Sequence, residues 1–360
     1  MGEQSMKDYL RYLFPAAVVV LTGVSLLAGG SWTWVGIGLF VVLAIPDSLM
    51  DFDHSERQMN TAGALFMLWF QLLPVAFLWG CYWQFLHLAP SGSDLYGAVI
   101  SMAVITAAAG LPMAHELFHR NEWISRFAGS AATTLLMATY IDLEHVNSHH
   151  IETNTEADID TPPRGMSVYP FMWRLAVYMH KNSFSQEKRR LSAYGKSVWF
   201  SPGSRVLWQI LGYFIVLGVF YTANGWRSAA AVLATSTIGF FIVTIFSYIQ
   251  HYGLIKVPGT PLEKRHAWNH TKPISRVMTF EIVTHSMHHI DPSTPYWKLP
   301  PYRDAPLVGS AIAYFWLSLV PPLWHRVMRK HLQHWDDNFA SEAELELAAA
   351  ANARAGWVTS

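Results

Sequence analysis

Apolar residues dominate long stretches of the chain with no charged residue to interrupt them. No Asp, Glu, Lys or Arg occurs between Arg11 and Asp47, and none from Asn60 to Ser93. Each run exceeds the roughly 20 residues that a helix needs to cross about 30 Å of hydrocarbon, so these runs predict membrane crossings. Crossings are expected near residues 12–29, 32–50, 62–89, 95–114, 206–221 and 228–249. Gly-Gly-Ser joins the first two, which leaves room only for a tight hairpin. A further apolar stretch, 307–324, carries Pro321-Pro322 near its end. It predicts a membrane-associated element, either a seventh crossing or a helix lying against the bundle.

The polar remainder falls into two segments, 115–205 and 250–360, which predict a cap on one face of a single domain spanning residues 1–360. The tail near 340–353, rich in Ala, Leu and Glu, reads as a solvated helix. With six crossings, the loops on the far side hold only Asp94 and Arg227 of the 25 cationic and 25 anionic residues. The cap carries Lys181, Lys188, Arg189, Arg190, Lys196 and Arg205, and the positive-inside tendency makes its side cytoplasmic. The expected class is therefore an all-α integral membrane protein of the inner membrane, six helices with a cytoplasmic, histidine-rich cap.

Composition agrees: 52% of residues are hydrophobic, 14% aromatic and only 14% charged, against about 25% charged in soluble proteins. The single cysteine, Cys81, lies within a crossing and excludes internal disulfides and thiolate metal sites. Zero net charge without a basic run makes nucleic acid an unsuitable partner. The N-terminal apolar stretch has no small-residue cleavage pattern and reads as a retained helix.

The 17 histidines cluster. His115 and His119, in Ala-His-Glu-Leu-Phe-His-Arg, follow the fourth crossing at a spacing that puts both on one helical face. His145 and His149 repeat that spacing in Glu-His-Val-Asn-Ser-His-His, with His150 beside them. His285, His288 and His289 form His-Ser-Met-His-His, and His251 stands in Gln-His-Tyr-Gly at the end of the sixth crossing. All four groups belong to one membrane face. So many imidazoles cannot all be protonated in a poorly solvated region, and neutral rings need a partner for each lone pair. Metal ions meet both demands, and nine rings are too many for one ion, so two are expected. Ligand type alone leaves iron, copper, nickel and zinc open.

A ligating imidazole usually donates its other N–H to a carboxylate or carbonyl. Candidates for that role are Glu116, Asp142, Glu144, Asn147, Asn269, His270, Glu281 and Asp291. Glu116 has Arg120 as an alternative partner four residues on. His54, His87, His180, His325, His331 and His334 have no companion at ligand spacing and read as surface or interfacial residues; His266 and His270 stand between two ligand groups. The first motif also fits the zinc-peptidase HExxH, but the additional histidines argue against a hydrolase.

Together, His-Glu-Leu-Phe-His-Arg, Glu-His-Val-Asn-Ser-His-His, Gln-His-Tyr-Gly-Leu and His-Ser-Met-His-His resemble the membrane-bound non-haem di-iron alkane and xylene monooxygenases. Arg265–His270, Pro321–Trp324 and the Ala-rich C-terminus resemble the xylene and p-cymene subgroup. The resemblance implies two irons (Fe2+/Fe3+) held by His115, His119, His145, His149, His150, His251, His285, His288 and His289. It also implies hydroxylation by O2 of a terminal or benzylic methyl group, on a xylene-, toluene- or p-cymene-like hydrocarbon, to the primary alcohol. Long-chain alkane members commonly carry Glu where this chain has Gln250, a departure that agrees better with the aromatic subgroup.

No GxGxxG fingerprint or cysteine set for an electron carrier is present, so electrons must come from elsewhere. The resemblance implies a separate NADH-dependent reductase with FAD and a [2Fe–2S] centre. The basic segment 181–205 is a candidate docking surface for it, or a contact with anionic lipid headgroups. The substrate should reach the centre from the bilayer through an apolar, aromatic-walled cavity among the crossings. Rival readings are an alkane 1-monooxygenase, a membrane fatty acyl desaturase or hydroxylase, and a histidine-relay metal transporter; the last would distribute its ligands near the midplane.

Overall fold

A computed structural model describes residues 3–138 and 149–357 and is all-helical among them apart from one isolated bridge, Asn269 to Leu307. Among the described residues, five helices are long and apolar enough to cross a membrane: α1 (Ser5–Ala28), α2 (Gly30–Leu49), α3 (Thr61–His87), α4 (Gly92–Phe118) and α7 (Arg205–His251). Between α4 and α7 come α5 (Trp123–Thr134) and α6 (Val168–Ser192). After α7 the chain forms the short helices α8 (Pro273–Met278) and α9 (His285–Ile290), then α10 (Ala311–Ser318), α11 (Pro321–Asn338) and α12 (Glu342–Arg354).

The bundle is arranged around α4, whose most apolar window is 89% buried, whereas that of α2 is 22% buried and faces outward. Helix α4 packs on α2, α7 and α5, α1 pairs with α3, and α6 lies along α7. The hairpin between α1 and α2 works as its composition predicts. Gly29 and Gly30 take φ of 68° and 56°, left-handed values that a side chain would oppose.

The stretches expected as a fifth and a sixth crossing form one 47-residue helical run, α7, with non-helical backbone at Asn224 and at Gly225, where φ is 60°. A straight helix of that length would reach about 70 Å, more than twice the hydrocarbon thickness. The break divides it into two arms, each near the length of a crossing.

The 307–324 stretch holds the eight-residue α10, about 12 Å long and too short for a seventh crossing, and the start of α11 at Pro321; α10 packs against α2 and α7, the second of the two readings of that stretch. One expectation about the tail needs correction. The tail helix is not simply solvated. One face of α12 is buried through Glu344, Ala348 and Ala351. The Glu344 carboxylate lies 2.7 Å from Nε2 of His266 and 3.0 Å from Nε of Arg265. In α11, Asp336 takes a two-point grip from buried Arg164, at 2.6 and 2.7 Å. Helices α11 and α12 thus strap the loop that follows α7.

Candidate metal centre

Eight of the nine expected histidine ligands lie within the described residues, and all eight converge at one end of the bundle. The ninth, His145, lies outside the described residues, as do Asp142, Glu144 and Asn147. His115, His119 and His288 form one group and His149, His251 and His289 another. In each, one ring nitrogen per residue lies within 4.8 Å of the others.

The first group rests on helical geometry. A single π turn, Thr106–Gly110, interrupts α4, which resumes at Leu111 and carries His115 to its last turn, with His119 just beyond. The Nε2 atoms of the two rings are 3.3 Å apart. His288 of α9 brings its ring centre to 4.7 Å from that of His115 and 5.0 Å from that of His119. Gly129 of α5 sets the close packing behind them: a Cβ there would sit 2.7 Å from the Ala114 carbonyl oxygen.

The second group is assembled from distant segments. Nε2 of His285 lies 2.8 Å from Nε2 of His251 and 2.9 Å from Nε2 of His289. His149 packs edge-on against both His251 and His289, at 4.8 and 4.9 Å between ring centres. His150 joins the two groups, with its ring 5.4 Å from His119, 4.9 Å from His288 and 4.7 Å from His289.

Nitrogens held at about 2.0–2.1 Å from an ion stand about 2.9–3.4 Å apart in octahedral or tetrahedral arrangements. The spacings of 2.8, 2.9 and 3.3 Å match that, with Nε2 facing Nε2. Two neutral rings gain nothing by pointing lone pairs at each other, so the arrangement fits metal ions. Burial pushes the His119 ring down to about 4 and the His285 ring down to about 3. It holds His150, His288 and His289 well below the usual histidine range, with neighbouring imidazoles adding to the effect. Rings kept neutral are rings ready to ligate.

The partners of these rings differ from those the sequence suggested. Nδ1 of His149 lies 2.9 Å from Oδ2 of Asp158, which also accepts from the Thr161 hydroxyl at 2.6 Å. Nδ1 of His285 meets the Ile282 carbonyl at 3.0 Å, and Nδ1 of His289 the Thr153 hydroxyl at 3.3 Å. Each contact turns Nε2 toward the cluster. Asp158 stands nine residues after His149, outside any helical spacing, and only its place in the polar loop Thr-Glu-Ala-Asp-Ile-Asp hinted at it.

Among the expected partners, Glu116 lies 3.8 Å from Arg120. Asn269 bonds Ser286 and the Ala267 and Pro306 carbonyls, anchoring α9 without touching a ring. His270 directs Nδ1 at the Gly309 carbonyl, 2.8 Å away, and packs on Tyr314. Asp291 binds Ser293 and Thr294 at the exposed end of α9. Glu281 binds two arginines and a tyrosine. Asp291 and Glu281, expected beside ligating rings, take these nearer donors.

Among the histidines read as surface or interfacial, His331 meets the Tyr314 hydroxyl at 2.7 Å. His266, expected between two ligand groups, is buried against Glu344. Lys181, Lys188, Arg189 and Lys196 are exposed beside exposed Tyr194, Trp199 and Phe200, the mixture found at membrane interfaces.

A sequence model of the fatty acid desaturase family matches residues 93–316. The chain is 32% identical over 359 residues to the xylene/toluene monooxygenase hydroxylase component of Pseudomonas putida, covering 97% of this chain and 96% of that protein. It is 24% identical over 346 residues to alkane 1-monooxygenase 1 of Alcanivorax borkumensis, covering 91% and 84%. Against alkane 1-monooxygenase 1 of Pseudomonas aeruginosa it is 29% identical over 238 residues, 64% of this chain and 62% of that one.

Proposed function

Because this chain belongs to the membrane-bound di-iron monooxygenase and desaturase family, and is a non-haem di-iron membrane monooxygenase, we propose that it hydroxylates a terminal or benzylic methyl group of a hydrocarbon. The observation that carries this reading is the pair of histidine groups meeting through His150 at one end of an apolar bundle. In this reading His115, His119, His145, His149, His150, His251, His285, His288 and His289 hold the two irons. Bound iron supplies the dioxygen chemistry that side chains lack. The chain's own part is positional: Asp158, Thr153 and the Ile282 carbonyl fix ring tautomers, and near-complete burial of His149, His251 and His285 keeps water out.

Two substrate readings have support. Alkane 1-monooxygenases are the more numerous relatives, and the matching family model describes fatty acid desaturases, which favours a long aliphatic substrate. Similarity along nearly the whole chain to a xylene/toluene hydroxylase component, with Gln250 in place of Glu, favours an aromatic methyl group. We further propose that the two arms of α7 cross separately, which makes six crossings, and that the centre faces the cytoplasm at the inner membrane. There a separate NADH-dependent reductase carrying FAD and a [2Fe–2S] centre delivers electrons.

Membranes containing the enzyme, supplied with reductase, NADH and in turn p-xylene, p-cymene, octane and an acyl thioester, test these readings by product identification. Benzylic alcohol without octanol supports the aromatic reading, and 1-octanol supports the alkane reading. An unsaturated acyl product as the sole outcome overturns hydroxylation.

A further inference from the structure

The five residues that precede His285 follow an unusual path. Phe280 and Glu281 both take left-handed backbone conformations, with φ of 49° and 62°. Non-glycine residues adopt these at a cost in free energy, and two in succession persist only where the surroundings hold them. The holding is done by charge. The Glu281 carboxylate, fully buried, accepts from Nε of Arg57 at 2.7 Å, from the Tyr12 hydroxyl at 2.6 Å and from Nε of Arg276. Arg276 reaches on to the carbonyls of Asp53 and Ser55, at 2.7 and 3.0 Å, and Arg57 to the Asp53 carboxylate at 3.0 Å. Just before this turn, Asp47 accepts from the main-chain N–H groups of Ile274 and Ser275 at the start of α8, at 2.8 and 3.1 Å.

Tyr12, Asp47, Asp53 and Arg57 all come from the first two crossings and the loop after them. They converge on one stretch of chain whose far end is a ligand helix. A largely buried cluster of two arginines and two carboxylates, Glu281 and Asp53, is a poor source of stability, because removing the charges from water offsets most of their attraction; fixing one geometry is its better-attested use. The geometry fixed here runs through the main chain. The Glu281 carbonyl accepts from the Thr284 N–H at 2.8 Å and the Thr284 hydroxyl at 2.6 Å. The next carbonyl, Ile282, receives Nδ1–H of His285 and so turns its Nε2 toward His251 and His289.

We propose that Glu281, gripped by Arg57, Arg276 and Tyr12, is a positioning residue for the metal centre: it touches no imidazole, yet sets His285 and His289 for the group they share with His149 and His251. This rests on the reading of the two histidine groups as iron sites. It assigns the N-terminal crossings a part in the chemistry and not only in membrane anchoring.

The test compares wild type, Glu281→Gln and Tyr12→Phe as detergent-solubilised, iron-reconstituted protein. Iron per chain, its release to a chelator and its Mössbauer signature are read alongside thermal unfolding. Two irons in wild type are the premise, and one or none there refutes the two-iron reading itself, independently of the variants. With two in wild type, the proposal expects folded Glu281→Gln to release one iron on the order of tenfold faster, with an altered signature for that iron alone. Tyr12→Phe should shift the same iron in the same direction by less. Unchanged release and signatures in folded Glu281→Gln overturn the proposal, as does equal loss of both irons, which marks general loosening. Should Glu281→Gln fail to fold, Tyr12→Phe decides by the same criteria.

Discussion

His115 and His119 are neighbours on one helix, and the turn of that helix alone brings their Nε2 atoms to 3.3 Å. His149 and His251 come from separate segments and meet His285 and His289 of α9 across the fold, and three of these four rings are aimed by Asp158, Thr153 and the Ile282 carbonyl. The contrast shows two ways of making a ligand set. In one, secondary structure does the spacing and the surroundings matter little. In the other, loops and distant carboxylates do it, and every outer contact carries part of the geometry.

The harshest way to break the comparison is to remove one ligand from each group. His115→Ala and His149→Ala should each leave one iron per chain by elemental analysis and lower turnover at least about a thousandfold, the several kcal/mol that a catalytic metal supplies. A variant that keeps both irons excludes its group as a metal site.

Asp158→Asn sharpens the difference. It leaves the shape but weakens the hold on His149, and should loosen one iron by about 10–100-fold in a chelator competition while the other is retained. Equal retention of both would show that the carboxylate does not orient the ring.

Acid tests both groups at once. Burial lowers His119 to about 4 and His285 to about 3 from an ordinary value of 6.5. Between 6.5 and those values the unfolded chain binds protons that the folded chain does not, so the stability these rings contribute is complete above about pH 6.5 and lost as pH falls. Iron-free protein should therefore melt at lower temperature at about pH 5 than at about pH 7, and iron should shift that loss to lower pH because it occupies the lone pairs. A pH-independent melting curve for the iron-free form would count against neutral buried rings.

The smallest effect is expected outside both groups. Glu344→Gln removes a charged hydrogen bond to Arg265 and weakens the one to His266, worth about 1.5–3 kcal/mol for such bonds. Amide exchange across α12 should speed up by about tenfold or more, with iron content unchanged. Protection equal to wild type would mean that the tail is held by its apolar face alone.

Much of this was legible in the sequence because hydrophobic runs and four-residue histidine spacing are local signals. The uncharged runs at 12–46 and 60–93 lead directly to α1, α2 and α3, and His115 and His119 fall on one helix end as expected. What was not legible depends on direction. Glu281 and Asp291 flank ligands in sequence, but proximity along a chain says nothing about where a carboxylate points, and left-handed backbone at Phe280 and Glu281 leaves no mark in residue type. Asp158 was missed for the converse reason, since a loop of no fixed period brings it to His149. The tail misled because α12 has an exposed composition, while the few side chains that dock it, Glu344 among them, are indistinguishable from their neighbours.

That docking bears on the long connection after α7. The loop from which His266 contacts Glu344 begins at His251, a ring of the second group, and a buried charged contact from α12 pins it from 78 residues further along the chain. Closing a span of that length costs little more than closing a short one, so a distant helix is an inexpensive anchor for a segment whose first residue is a ligand.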